Sequence, residues 1–302
     1  MNKISFFLQF TRAYSLPMSF MAWLIPFSFG LLNGGNFVYG LLALIGIVFA
    51  HLGANLFDDI IDYRAFLKKR EQNSALNILK GKCKFFIEEK INIKQALLIS
   101  CCLFLIAFCL GAFFVYVYKL PILIIMIVTG ILCLLYPKSG YFGLSEIIIG
   151  IIFSPLVFTG VYYVMTGTFS QKLLLMSVSF AIVTVALLYT DFFLDYNSDK
   201  QAGKKTLVVL CGGKSNAYHL YIFLLFLIYA NIFFGIHSHI FSTAYFLIFL
   251  SIVPALRTIE NLQHYIDKEI KEEKEFLKIM NGVQKFIAAF SLLCVISFFV
   301  GS

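Results

Sequence analysis

The sequence predicts an all-α, polytopic membrane protein, a bundle of about nine transmembrane helices forming a single domain over 1–302. Three observations carry this. Of the 302 residues, 60% are hydrophobic and only 13% charged, whereas about a quarter are charged in soluble globular chains, and a soluble fold of this size cannot hide so much apolar surface. The apolar residues gather in continuous runs of roughly 17–25, the length that crosses a ~30 Å hydrocarbon layer as helix. The runs show no two-residue alternation, so helices rather than a β-barrel satisfy the backbone.

In order, the runs cover 14–32, 36–57, 95–118, 120–136, 144–165, 171–190, 216–236, 240–256 and 286–301. The first has no convincing cleavage site behind it and reads as a retained helix. The second ends on "NLFDDIIDY" and the sixth on "DFFLDYNSD". The eighth and ninth are separated by 257–285, whose six basic and six acidic residues predict an amphipathic cytoplasmic helix, a solvated connector in the first place and a lid in the alternative. No linker or low-complexity tract divides the chain.

Charge gives the topology. Of the 24 Lys and Arg, two precede the first run, nine lie in 58–94, Lys138 lies between the fourth and fifth runs, four lie in 191–214 and six in 257–285; the alternate loops hold only Lys119 and Lys172. The positive-inside rule then puts the N-terminus and the acidic loops in the cytoplasm and the C-terminus outside. The net charge of +8 is explained by a lipid bilayer, with no nucleic-acid partner required. The seven cysteines form no CxxC and no Cys/His ligand spacing, so neither a disulfide framework nor a zinc site is expected. "GKKT" and "GGKS" are not phosphate loops, because the glycine required five residues earlier is replaced by Ser198 and Val208. The histidines, His51 among them, are expected to be packed or hydrogen-bonded.

The chemistry-bearing residues sit where apolar runs end. Asn55, Asp58, Asp59 and Asp62 form the first cluster, and steps of three and four place them on one helix face. Asp191, Asp195 and Asp199 recur every four residues, a stripe that turns only about 40° per step. Like charges at that spacing repel by roughly 0.2–0.5 kcal/mol per pair on an exposed helix, so a cation should offset them. Either cluster alone reads equally well as a solvated helix cap. Two on one membrane face suit a diphosphate bound through Mg²⁺, which takes oxygen ligands and bridges carboxylates to phosphates. Lys200, Lys204 and Lys205 follow the second cluster as donors to phosphate oxygens.

These motifs resemble those of the UbiA superfamily of intramembrane prenyltransferases, NDxxDxxxD and DxxxD. "DDIIDYRAF" matches the first through Asp59 and Asp62, and "DYNSD" the second through Asp195 and Asp199. Within the superfamily the chain is most similar to the 1,4-dihydroxy-2-naphthoate polyprenyltransferase branch. "RAYSLP" from Arg12, "GYFGLSEIIIGIIFSPLVFTGVYYVMTG" with Glu146, Tyr162 and Tyr163, and "DYNSDKQAGKKTLVV" carry that likeness. The sequence departs from the pattern at Asp58, where Asn is usual, at Phe66, where a last acid is common, and in "DFFLD" in place of N-N-x-R-D.

The resemblance implies transfer of a polyprenyl group from its diphosphate to an aromatic acceptor, with Mg²⁺ held by Asp59, Asp62, Asp195 and Asp199. It implies stabilisation of the leaving diphosphate by Lys204, with Lys138 and Lys205 in support. Arg12, Asn55, Asp58 and Asp191 join the expected substrate site. Tyr162 or Tyr163 is expected either to orient the acceptor or simply to pack, and Glu146 either to hold an acceptor hydroxyl or to cap its helix. The alternative acceptors are 4-hydroxybenzoate, haem or a lipid alcohol. The rival class is a transporter, whose intramembrane acids lie near the midplane among interrupted helices.

Overall fold

The computed structural model describes residues 2–70, 83–267 and 273–301, which fall into two compact units: Met1–Phe20 with Leu41–Lys138, and Met21–Gly40 with Ser139–Ser302. Every regular element among the described residues is helical: α1 Lys3–Phe10, α2 Leu16–Leu32, α3 Phe37–Arg70, α4 Lys84–Ile87, α5 Ile93–Tyr118, α6 Leu120–Ser139, α7 Ser145–Ile151, α8 Val157–Thr166, α9 Gln171–Leu194, α10 Tyr196–Ala202, α11 Leu207–Leu210, α12 Lys214–His237, α13 Ile252–Asp267 and α14 Glu273–Val300. A π turn at Ile152–Leu156 joins α7 to α8, and 3₁₀ turns cover Ala13–Ser15 and Thr243–Ser251. Nine helical stretches among the described residues are long and apolar enough to cross a bilayer, in the order the sequence predicts.

In the first unit, the faces of α3 and α5 meet at Gly53, where a side chain would crowd Phe104 and Leu103, and Ser100 Oγ donates to the Gly53 carbonyl at 2.9 Å. Leu56 and Ile60 of α3 are buried with Phe10 and Phe86. Phe6 packs edge-on to Phe85 at 5.1 Å, and Tyr63 stacks on Phe86 at 4.9 Å. Asn92 and Gln95 close a reciprocal capping box that starts α5.

The second unit is organised around α9, which packs against α7, α12 and α14. Ser170 caps its first turn, accepting from the Leu173 N–H. Phe180, Phe286 and Phe290 are fully buried at its centre, with Phe158 5.3 Å from Phe180. Because lipid tails are as apolar as these rings, close packing and interhelical hydrogen bonds hold such helices together. Asn231 of α12 supplies two, to the Leu175 carbonyl at 3.1 Å and Ser179 Oγ at 2.8 Å on α9. Pro155 has no N–H for the helix ladder; it lies in the π turn, where Ser154 Oγ donates to the Ser177 carbonyl.

Two expectations are corrected. The second run does not give way to a loop at 58: α3 continues to Arg70, because no Gly or Pro interrupts 54–70. The described part of 257–285 is not a separate connector. It forms the end of α13 and the start of α14, two helices that pack together and bury Thr258, Leu262 and Tyr265, with 268–272 outside the described residues.

Candidate active site

Helix α3 carries the first acidic cluster. Asp58, Asp59 and Asp62 are 7%, 2% and 6% exposed, so these are buried carboxylates rather than a solvated cap. The cation expected to offset them is Arg12, whose Nη1 donates to Asp58 Oδ2 at 3.2 Å and Asp59 Oδ1 at 3.1 Å. Burial works against its charge, but Asp59 and Asp58 outweigh it and hold the guanidinium pKa well above its ordinary value.

Arg12 has left-handed backbone, φ 56° and ψ 41°, which costs a residue with a Cβ about 1–2 kcal/mol. The surrounding bonds over-determine it. Ser15 donates to the Arg12 carbonyl through its N–H (3.0 Å) and Oγ (2.8 Å). Asn55 Nδ2 donates to the Thr11 carbonyl at 3.2 Å and Ser15 Oγ at 3.0 Å. His51, one turn before Asn55, bridges Ser15 Oγ at 3.0 Å and Ser19 Oγ at 2.6 Å. Asn55 was expected at the substrate; its amide N–H groups instead lock the turn that aims Arg12. No sequence spacing marks Ser15, Ser19 or Thr11, although His51 does share the face of Asn55 by its spacing of four.

The second cluster lies where α9 ends. Asp195 terminates α9 and precedes α10, its N–H donating to the Asp191 carbonyl and its own carbonyl accepting from Asp199 N–H at 2.9 Å. Asp191 and Asp195 are half-buried, and Asp199 is 6% exposed. Gly203, at φ 77°, closes α10 in the left-handed conformation that glycine tolerates, and returns Lys204 so that its N–H meets the Asp199 carbonyl at 2.9 Å. Lys204 Nζ then lies 3.4 Å from Asp199 Oδ1. Asp199 Oδ2 is buried with no hydrogen-bond partner among the described residues.

The remaining candidates separate. Lys205 is exposed and is anchored by its N–H to the Gly140 carbonyl at 2.7 Å. Lys138 is exposed in the last turn of α6. Glu146 is fully buried: Oε1 accepts from Leu207 N–H at 2.7 Å and Oε2 from Ser145 Oγ at 2.8 Å. Both oxygens have partners within the chain, and the carboxylate also accepts from the Glu146 N–H in the first turn of α7, so it caps its own helix, one of its two expected roles, and α11 besides. Tyr162 and Tyr163 stand about 16 residues along the α7–α8 rod from Glu146, or ~24 Å at 1.5 Å per residue. Tyr162 packs on Phe29 at 5.5 Å and Tyr163 on Phe169 at 4.5 Å. Tyr162 also lines a cavity of about 430 Å³ with Thr159, Phe169, Ser170 and Gln171, at the end of α9 opposite to Asp191. Both rings thus have packing partners at that end of α9, and neither is brought to the acidic motif of the second unit.

Among the described residues no three Asp, Glu, His or Cys side chains form a ready metal cage. Magnesium does not need one, since it keeps waters and takes one or two carboxylates plus substrate phosphates. Hard oxygen donors, with one buried carboxylate oxygen unpartnered at Asp199, fit such a substrate-bridged ion.

The model of the UbiA prenyltransferase family matches residues 16–282. The 2-carboxy-1,4-naphthoquinone phytyltransferase of Synechocystis is 34% identical over 133 residues, 43% of this chain and 42% of that protein. The chicken UbiA prenyltransferase domain-containing protein 1 is 38% identical over 89 residues, 30% of this chain and 26% of that protein. The chain thus spans less than half the length of these two relatives. The Escherichia coli 1,4-dihydroxy-2-naphthoate octaprenyltransferase is 27% identical over 213 residues, 68% of each chain. Among solved structures, a UbiA homolog from Archaeoglobus fulgidus bound to DMAPP and Mg²⁺ superposes with a TM-score of 0.65 at 14% identity, covering 97% of this chain and 99% of that one. At that identity the likeness establishes the fold.

Proposed function

Since the chain belongs to the UbiA prenyltransferase family, we propose that it is a Mg²⁺-dependent enzyme that transfers a polyprenyl group from polyprenyl diphosphate to an aromatic acceptor, 1,4-dihydroxy-2-naphthoate, within menaquinone biosynthesis. The observation that carries this is Asp199, a buried carboxylate with one oxygen on Lys204 and the other without a partner among the described residues, inside the second of the two motifs. The naphthoate acceptor is supported by the names of the Synechocystis and E. coli relatives.

In this reading Asp59 and Asp62 of the first motif, and Asp195 and Asp199 of the second, would hold Mg²⁺ ions, which when bound would supply Lewis-acid neutralisation of the diphosphate. Lys204 donates to the same oxygens as negative charge grows there. Arg12, already balanced against Asp58 and Asp59, sets the charge of the first motif and fixes its carboxylates in place. The allylic C–O bond breaks with its electron pair leaving on diphosphate, and the acceptor ring carbon supplies the pair for the new C–C bond, losing its carboxylate as CO₂. The reaction requires a site that excludes the water that would otherwise capture the allylic cation, and aromatic faces would favour such a cation. The N-terminus and both motifs are assigned to the cytoplasmic side of a cell membrane by the positive-inside rule.

The test is turnover by purified protein in detergent with Mg²⁺ and labelled polyprenyl diphosphate, offered 1,4-dihydroxy-2-naphthoate or 4-hydroxybenzoate in parallel. Prenylated naphthol with CO₂ release is expected. Product from 4-hydroxybenzoate alone moves the acceptor and keeps the chemistry. Magnesium-dependent binding without either product points to haem or a lipid alcohol, and no binding at all points to a transporter.

A further inference from the structure

Glu146 is the least exposed acid in the second unit, fully buried, and the chemistry proposed above does not use it. Its most distant partner in sequence identifies what it does. Leu207 N–H, which it accepts at 2.7 Å, begins α11. Two residues earlier, Lys205 N–H is fixed to the Gly140 carbonyl at 2.7 Å, and one before that, Lys204 N–H is fixed to the Asp199 carbonyl at 2.9 Å. Thr206 between them is buried and caps α11 with Oγ1 on Val209 N–H at 3.4 Å. The stem of Lys204 passes Gly140, 3.8 Å from where a side chain would begin. The segment 204–207 is thus pinned at three backbone N–H groups, and Glu146 supplies the only one of these acceptors that is a side chain. A buried carboxylate is costly unless hydrogen-bonded, and this one is spent on orienting the chain.

We propose that Glu146 is a positioning residue: it anchors the backbone after the DxxxD motif, thereby holding Lys204 against Asp199 in the geometry that receives the diphosphate. This rests on the prenyl-diphosphate reading given above. Without the anchor, Leu207 N–H loses its acceptor, the 204–207 turn loosens, and Lys204 Nζ is no longer fixed near Asp199. Misplacement by about 1 Å at a reacting group costs on the order of 10²-fold, and here it falls on the diphosphate and not on the acceptor.

The experiment titrates the full chain in detergent with GPP and Mg²⁺, for wild type, Glu146→Ala, Glu146→Gln, Lys204→Ala and the Glu146→Ala/Lys204→Ala double variant. Glu146→Ala is expected to weaken Mg²⁺-dependent GPP binding by about 10- to 100-fold while the acceptor KM stays within about twofold. Glu146→Gln keeps a carbonyl acceptor for Leu207 N–H and recovers most of the affinity. The double variant binds no worse than Lys204→Ala, because the two act through one group. Should Glu146→Ala fail to fold, the Gln variant still decides: affinity as poor as that of Lys204→Ala overturns the anchoring role. Additive losses in the double variant, or an effect on the acceptor KM alone, overturn the proposal and leave the enzyme reading intact. Absence of Mg²⁺-dependent GPP binding in wild type overturns both.

Discussion

Replacing Arg12 by Ala isolates what the guanidinium contributes to the first acidic cluster. Ala also carries a Cβ, so both residues bear the same left-handed backbone strain at φ 56°, and the difference reports the side chain. The pairs are largely buried, with side-chain exposures of 19% for Arg12, 10% for Asp58 and 3% for Asp59. Removing one partner of a buried pair typically costs 3–5 kcal/mol because it strands the opposite charge. One nitrogen serves both carboxylates here and the arginine keeps some solvent, so the expected loss is at the lower end, about 3 kcal/mol. Equilibrium unfolding of the detergent-solubilised protein reads it. The decisive comparison adds Asp58→Asn and Asp59→Asn to Arg12→Ala: if stranded charge is the cost, neutralising it restores at least half the loss. The arginine pKa lies above its ordinary value, so its contribution is fully present throughout the range in which free arginine is charged and is lost only at still higher pH; the guanidinium side therefore gives no pH dependence between about pH 6 and 9. An Arg12→Ala protein within about 0.5 kcal/mol of wild type, the range of an unremarkable surface change, would refute the reasoning. So would a neutralised variant no more stable than the single one.

Asp59→Ala and Asp195→Ala are each expected to lower Mg²⁺-dependent turnover by at least about 10²-fold, while gel filtration shows a monodisperse folded protein; wild-type rate in either removes the metal assignment. Tyr162→Ala is expected to destabilise the fold through its lost contact with Phe29, yet to shift the acceptor KM by less than about twofold, because it packs beside the Ser170–Gln171 end of α9, about 30 Å of helix rise from the end that carries Asp191. A KM increase without loss of stability contradicts that placement. In a cysteine-free background, Lys205→Cys should react with a membrane-impermeant thiol reagent from the cytoplasmic side and Lys119→Cys from the other; the reverse pattern overturns the assigned topology.

The nine spans were legible because twenty or so consecutive apolar residues have few alternatives. Where the helices end was less so, and for one reason. Hydropathy marks where a bilayer ends, whereas a helix ends where the backbone is broken or capped. From Ala54 to Arg70 and from Arg257 to Asp267 no Gly or Pro intervenes, and in both places the helix runs on past the apolar run. The signal was present in the absence of breakers, and the drop in hydrophobicity masked it.

The site divides along the same physical line. Spacings of three and four place Asp59 with Asp62, and Asp195 with Asp199, from sequence alone, because neighbours on one helix face are fixed by helix geometry. What satisfies those acids is not local. Arg12 reaches Asp59 across 47 residues and Glu146 reaches Leu207 across 61, and no period encodes such pairs. The demand was nonetheless readable: buried like charges require a cation. Each motif has one within its own unit, Arg12 in the first and Lys204 in the second. Each cation is in turn placed by a polar side chain first expected at the substrate, Asn55 bracing the Arg12 turn and Glu146 the Lys204 segment. Polar residues beside such a motif therefore divide by their partners: those whose donors or acceptors are already filled by backbone set the geometry, and those with a buried atom left open, as at Asp199, are where a ligand is to be sought.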